Sequence, residues 1–286
     1  MDARFWLIQA FNGISYGALL FLVGSGLSLI FGVMRIVNLS HGSYFLLGGY
    51  VALSVIWSTG SWLLAIPVAA MTIALIGLAM ERIFLRPLGF DPLRQVLLTV
   101  GFAFLFQQAA LDIWTGNNFD INPPEALTRS VVIGGIYFPL YRMFMIGTGL
   151  LIGITLWLVM EKTRMGAVVR ATVDDAQMAR GVGIDTSRVS MFIFALGAFL
   201  AALGGVVGGG FLSVYPGLDF EILPLAFAVV IIGGMGSLSG AAIGALLVGL
   251  ADNFGKALFP EISYFTLYAP MALILAVKPT GLFGRE

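Results

Sequence analysis

An all-α, polytopic membrane helix bundle is the fold class this sequence predicts, and three observations carry the prediction. Hydrophobic residues make up 59% of the 286 positions and charged residues only 10%, against roughly 45–50% and 25% in soluble domains. Mean hydropathy is +0.99. The apolar residues fall into runs long enough to cross a bilayer, which takes about 20 residues for ~30 Å of hydrocarbon. Charge is concentrated: nine of the thirty charged residues lie between Glu161 and Arg188. The expectation is one membrane domain over residues 1–286, with about eight spans or near-spans.

The elements follow in order. Phe5 to Phe31 is the first span, and the apolar stretch to Val33 far exceeds a signal-peptide core of ~7–15 residues, so it reads as a retained helix. Ser43 to Trp57, Trp62 to Met80 and Gln95 to Trp114 come next, then Tyr141 to Met160, Val189 to Leu212, Ile222 to Ile232, Ser239 to Phe254 and Ser263 to Val277. Two of these are short, and both adjoin a Gly/Ser interruption. Short cytoplasmic loops collect Lys and Arg. Arg82, Arg86 and Arg94 therefore mark one inside loop, Lys162 through Arg188 a second, and Lys278 with Arg285 an inside C-terminus. The 115–140 loop and the N-terminus then face outside. From the island to the C-terminus the expected parity is an odd number of crossings plus a re-entrant hairpin. Ile222 to Ile232 is too short for an independent span, so segment 222–254 is expected to turn around at its glycines. In the outside loop, β-prone runs around Gly134-Gly135 predict a small hairpin, either a plain connection or a docking surface for an external partner.

The 37 glycines include many Gly-x-x-x-Gly pairs: Gly13/Gly17, Gly149/Gly153, Gly204/Gly208, Gly205/Gly209, Gly236/Gly240 and Gly240/Gly244. Small residues at this spacing let helices approach closely in lipid. Packing within the bundle is the expected use, ahead of a dimer face.

Two interruptions fall at what the spans place as membrane depth: Gly32-Val-Met-Arg-Ile-Val-Asn-Leu-Ser-His-Gly42 and Gly233-Gly-Met-Gly-Ser-Leu-Ser-Gly240. Each holds a Leu-Ser pair closely followed by Gly, as an internal repeat would. Non-helical backbone survives in a membrane only when buried in protein or lining a water-filled cavity. Asn38 or Ser40 can cap the helix after the first interruption, and Ser237 or Ser239 the helix after the second. Free N–H groups at those helix starts suit a carboxylate, and paired broken helices point to a transporter's binding site. The candidate pathway residues are Asn38, Ser40, His41, Gly42, Gly236, Ser237, Ser239 and Gly240. Ordinary re-entrant kinks are the competing reading. His41, the sole histidine, is expected as a packed, hydrogen-bonded ring rather than a substrate contact. Arg35 is expected at the inner interface. Asp112 is the one acid expected near the body of a span, close to its outer end.

In the charged island, Met165, Val168, Thr172, Ala176, Ala179 and Gly183 fall three or four apart and would form one smooth helical stripe. Thr172-x-x-Asp175 reads as a loose capping box. Gly181 and Gly183 offer a stop, and Asp185 to Ser187 a cap for the next span. A short surface helix follows, serving either as a generic connector or as a coupling element for a soluble partner.

Resemblance decides between these. Thr163-Arg-Met-Gly166, Arg170-Ala171, Asp174 and Ala179-x-x-x-Gly-Ile184 resemble the coupling loop of permease subunits in branched-chain amino acid ABC importers. Residues 26–42, 230–240 and 278–284 resemble that family's other signatures, so the likeness covers the whole chain and is nearest to the smaller of its two permease types. It implies a second, related permease (a heterodimer), two cytoplasmic ATPase subunits and an extracytoplasmic substrate-binding protein. It implies an ATPase-coupling role for Arg164, Gly166, Arg170, Asp174, Asp175, Ala179 and Gly183, and a setting in a bacterial or archaeal plasma membrane. It also implies cargo among branched-chain or other hydrophobic amino acids, urea, short amides or organic acids.

Other classes are disfavoured. Zero net charge argues against nucleic acid, and the absence of cysteine leaves no thiol or Cys-based metal chemistry. With one histidine and no paired intramembrane carboxylates, an enzyme is not expected. The chain lacks a Gly-x-x-x-x-Gly-Lys-[Ser/Thr] phosphate loop, so no cofactor is expected in it and ATP belongs to the partners. A gradient-driven carrier or passive channel is the alternative. An ion-coupled carrier would place ionisable residues inside the bundle, and apart from Asp112 none is expected there.

Overall fold

In the computed structural model, which describes residues 3–89 and 91–284, the runs expected to span are helices. They are α1 (Ala3–Met34), α2 (His41–Thr59), α3 (Trp62–Met80), α4 (Pro92–Trp114) and α5 (Leu140–Lys162) in the first half. The second half holds α6 (Arg164–Asp174), α7 (Ala176–Gly181), α8 (Thr186–Gly209), α9 (Leu218–Gly233), α10 (Leu238–Leu258) and α11 (Ser263–Val277). A π-turn over Glu81–Leu85 and a 3-10 turn over Arg86–Leu88 prolong α3. Among the described residues, six helices are long and apolar enough to cross a membrane by length and composition. Among the described residues the sheet content is one antiparallel hairpin, β1 (Ser130–Ile133) with β2 (Ile136–Pro139), turned by Gly134 and Gly135 at φ 59° and 78°. Two successive positive-φ residues make the primed turn that matches strand twist, so the expected hairpin forms.

Helix α1 is the axis. From Gly13 to Ile30 nearly every residue is buried, with α5, α8, α9 and α10 against it. Gly13 and Gly17 let α10 in at Leu250 and Ala245, Gly149 seats α5 on Ala18, and Gly205 lies against the Phe45 carbonyl. The small-residue stripes are therefore spent inside the bundle. Helices α4 and α5 lie at the periphery and turn Leu97, Phe104, Leu105, Leu150, Leu151 and Ile154 outward.

Sidedness follows from which ends meet. Val33 and Met34 share a cavity with Arg86, Gln95, Arg180 and Asp185. Gly32 abuts Gly236, and the C-terminal segment docks there through Leu282 N–H to Ile232 O and Phe283 N–H to Gly233 O, both at 2.9 Å. Those bonds occupy carbonyls that the last turn of α9 leaves unpaired. The basic segments thus collect at one end, the end expected to face the cytoplasm. Arg285, one of the cations used to orient the C-terminus, lies outside the described residues. At the far end Phe119 pairs with Val214, and Phe11 packs on Phe138.

One helix boundary is corrected. Helix α9 begins at Leu218, four residues before the expected start, because Gly217 at φ 104° ends the preceding loop. Its 16 residues reach about 24 Å. The chain then turns at Gly234 and Gly236 into α10, so segment 222–254 turns around at its glycines as expected.

Candidate functional site

The first interruption is a true re-entry. Beyond Met34, Arg35 adopts φ 55°, and the chain climbs back until His41 Nε2 meets the Val23 carbonyl at 3.0 Å. That is roughly 16 Å back along α1 at 1.5 Å per residue. Asn38, Ser40, His41 and Gly42 are all buried. Asn38 Oδ1 accepts from Ser40 N–H at 3.1 Å and Ser40 Oγ–H at 2.7 Å. Leu39 N–H donates to Thr99 Oγ1 of α4 at 3.2 Å, and His41 N–H to Asn38 O at 3.3 Å. The N–H groups expected to be free for a carboxylate are therefore taken at these three positions. Ser40 stands at the N-cap of α2 without a side-chain capping bond. His41 is a packed, fully buried ring.

The second interruption is different in depth. Gly234 and Gly236 take φ 102° and 82° and make a tight turn beside Gly32, at the cytoplasmic end. Ser237 caps α10 by accepting from Gly240 N–H at 3.1 Å, with Ser239 Oγ 3.3 Å from its hydroxyl. Ser28 Oγ–H donates to Ser237 O at 3.3 Å. The two interruptions meet at Gly32 and Gly236, but the helix starts they create do not face one point.

Three buried acids escaped the sequence reading and correct its count. Asp219 and Glu81 are each 2% exposed and Asp252 is 7% exposed, whereas Asp112 is exposed and accepts from Gln108 Nε2 at 3.0 Å. Asp219 fell in a supposed loop because α9 was started too late. Its Oδ2 accepts from Ser43 Oγ–H at 3.0 Å, and its backbone carbonyl presses on Gly42. Its carboxylate thus joins the N-terminal turns of α2 and α9, where helix dipoles favour negative charge. Glu81 and Asp252 lay at a span end and within a span. The Asp252–Lys256 spacing of four, an ion pair at 2.8 Å, was the legible signal for one of them.

The charged segment 161–188, expected to be the coupling element, is two helices with a break at Asp175, φ −153° and ψ 102°. Thr163, not Thr172, caps the first, accepting from Gly166 N–H at 3.2 Å. Asp175 caps the second, accepting from Gln177 and Met178 N–H at 2.8 and 2.9 Å. Thr172 Oγ–H instead donates back to Val168 O at 2.9 Å, so the expected capping box is absent. The stripe divides accordingly: Thr172 and Ala179 are buried, while Met165 and Gly183 are exposed. Gly166 packs on the Met160 carbonyl with no room for a Cβ. Arg170 Nη1–H donates to that same carbonyl and lies 3.7 Å from Glu161 Oε2, so this guanidinium closes the end of α5. Arg164, Asp174 and Asp175 face solvent with Met178 and Val182. Gly183 at φ 89° ends the segment, and Asp185 caps α8 by accepting from Arg188 N–H at 3.2 Å.

Two cavities lie at opposite ends of the bundle. One of about 520 Å³ opens on the outer side among α1, α9, α10 and α11, lined by Tyr16, Glu221, Asp252 and Lys256. One of about 400 Å³ opens on the cytoplasmic side between the end of α3 and the coupling segment, lined by Glu81, Arg86, Arg180 and Asp185. None of the eight candidate pathway residues lines either cavity.

Comparison with known proteins adds an independent line. A sequence model of the family described as "Branched-chain amino acid transport system / permease component" matches residues 9–275. The chain is 31% identical to the high-affinity branched-chain amino acid transport system permease protein LivH of Escherichia coli K12, over 98% of this chain and 96% of that protein. It is 27% identical to BraD of Pseudomonas aeruginosa, a permease of the same description, with the same coverage. A probable branched-chain amino acid transport permease of Methanocaldococcus jannaschii is 26% identical over 96% of this chain and 91% of that one.

Proposed function

Because this chain belongs to the branched-chain amino acid transport permease family, we propose the arrangement in which it works and the residues that couple it to ATP. It is a multi-pass permease of an ATP-driven importer in a bacterial or archaeal plasma membrane, and it carries branched-chain or other hydrophobic amino acids inward. ATPase and substrate-binding partners go with that role. In the arrangement proposed, a second, related permease completes the pathway, two cytoplasmic ATPase subunits bind the α6–α7 segment, and a binding protein docks on the outer face.

The observation that best supports this reading is the α6–α7 pair. It is capped at each start by Thr163 and Asp175, and Gly166 with Arg170 locks it onto the end of α5. A push on the exposed Met178 and Val182 would pass rigidly into α5 and α8. Rocking of the bundle then exchanges access from the outer to the cytoplasmic side. Energy must arrive from outside the chain, which carries no phosphate loop. Asn38, Ser40 and His41 take the part of a rigid floor that holds α2 at mid-membrane, rather than of ligands. Ser237 and Ser239 stand near the cytoplasmic mouth.

Buried acids such as Asp219 are the one feature a gradient-driven carrier would also want, and a single experiment separates the two. The tagged chain is expressed with its neighbouring subunits and purified. Co-purification of ATPase subunits, with leucine uptake insensitive to a protonophore in ATP-loaded vesicles, supports the importer. Uptake that tracks the proton gradient and needs no ATPase overturns it.

A further inference from the structure

The outer cavity has a chemistry that nothing above uses. Its volume of about 520 Å³ falls within the range of small-molecule sites, about 300–1,000 Å³. It carries both signs of charge on two exposed side chains, Lys256 and Glu221, set among polar and apolar neighbours. Lys256 Nζ donates to Asp252 Oδ2 at 2.8 Å and lies 5.8 Å from the centre of the Tyr16 ring. An ammonium has three donors, so this lysine keeps others for a ligand after binding Asp252. Glu221, in the first turn of α9, lines the same space, and among the described residues it forms no ion pair. Phe211, Leu212 and Leu225 supply apolar wall to the same cavity, beside the polar Asn118, Ser213 and Tyr215. The neighbouring cation Arg142 is engaged elsewhere, over the Phe211 ring at 4.6 Å and toward Ser15 Oγ at 3.2 Å.

We propose that this cavity is an outer binding station for a zwitterionic amino acid with an aliphatic side chain. Lys256 receives the carboxylate, Glu221 the ammonium, and the Phe211–Leu212–Leu225 wall the hydrocarbon. Asp252 is a positioning residue that holds Lys256 over the cavity. The cavity stands at the end of the bundle opposite the coupling segment, where cargo released by an external partner first meets the chain. This inference rests on the importer reading and deepens it by naming where cargo is held and by which groups.

The chain has no cysteine, so a single introduced thiol reports on one place. Asn118 lines the cavity and is exposed; Ser58, at the end of α2, is exposed away from it. The assembled importer carrying Asn118→Cys or Ser58→Cys is first checked for ATP-dependent leucine uptake. It is then labelled from outside with a charged maleimide, with and without leucine and with no binding protein present. Leucine should slow labelling at position 118 and not at 58, while isocaproate and leucinamide, each lacking one charge, protect at about tenfold higher concentration, the loss of one charge-assisted hydrogen bond. Adding Glu221→Gln or Lys256→Met should cause a similar shift, and Glu221→Gln should abolish the preference for leucine over isocaproate. Equal protection by all three compounds, or protection untouched by both substitutions, overturns the proposed station while leaving the importer reading in place. Absence of ATP-dependent amino acid uptake in the unmodified assembly overturns the importer reading itself.

Discussion

Asp219 shows how one side chain can tie the starts of two helices together. Its carboxylate accepts from Ser43 between two helix N-termini, a setting in which burial of charge is offset by dipoles and hydrogen bonds. Asp219→Leu leaves the buried Ser43 hydroxyl without its acceptor, at a cost of about 1–3 kcal/mol. The melting temperature of the detergent-solubilised permease should fall, and Asp219→Asn, which can still accept from Ser43, should retain most of it. Equal losses from both substitutions would mean that charge, not the bond, matters here. Steric closeness matters as much as charge. A methyl group at Gly48 would lie 2.5 Å from the Ala202 Cα, with backbone on both sides unable to yield. Gly48→Val should therefore lower membrane-inserted protein several-fold on immunoblots, whereas Gly101→Val, where nothing lies within 4 Å, should leave it unchanged. The glycine spacing predicted close packing but not which glycines carry it, since Gly48 belongs to none of the Gly-x-x-x-Gly pairs.

Among elements, the coupling segment makes the sharpest claim. Asp175 holds two N–H groups at the start of α7, and losing such a cap costs about 1 kcal/mol. That is far more, relative to its stability, for a six-residue helix than for a membrane span. Asp175→Ala should leave expression and ATPase association intact yet lower uptake per ATP hydrolysed several-fold, as measured by parallel transport and phosphate-release assays. Unchanged coupling would remove α7 from the mechanism. Gly183→Val, forced into the left-handed region at φ 89°, should have the same phenotype. The segment's existence was plain in its charge, and its end at Gly183 and Asp185 was legible. Its division was not, because Thr172 satisfies a carbonyl on its own helix and the cap fell to Thr163. The expectation of free N–H groups at α2 failed for a reason no local pattern reveals. The acceptor for Leu39 is Thr99, 60 residues away, and only the packing of α4 against α2 brings it there.

At the scale of the molecule, the apolar runs announced the bundle with few errors, because lipid leaves a spanning chain no choice but the helix. The start of α9 was missed by four residues because a glycine conformation sets it rather than hydrophobicity. Asp252 went uncounted because a long apolar run masks a single carboxylate, Glu81 because it stands just past a span end, and Asp219 because it precedes the expected start of α9. The arrangement that results is a rigid body: α1 is sheathed by four helices, and the coupling pair is bolted to α5 at one end. A cavity opens at the other end. In the proposed reading, such a body passes on force supplied by its ATPase partners. Purified chain, assembled with its permease partner and ATPase subunits in liposomes without any ion gradient, should accumulate leucine only when ATP is supplied to the ATPase side. The same liposomes holding this chain alone should accumulate none. Concentrative uptake by the chain alone, or by the assembly without ATP, would contradict the account at its root.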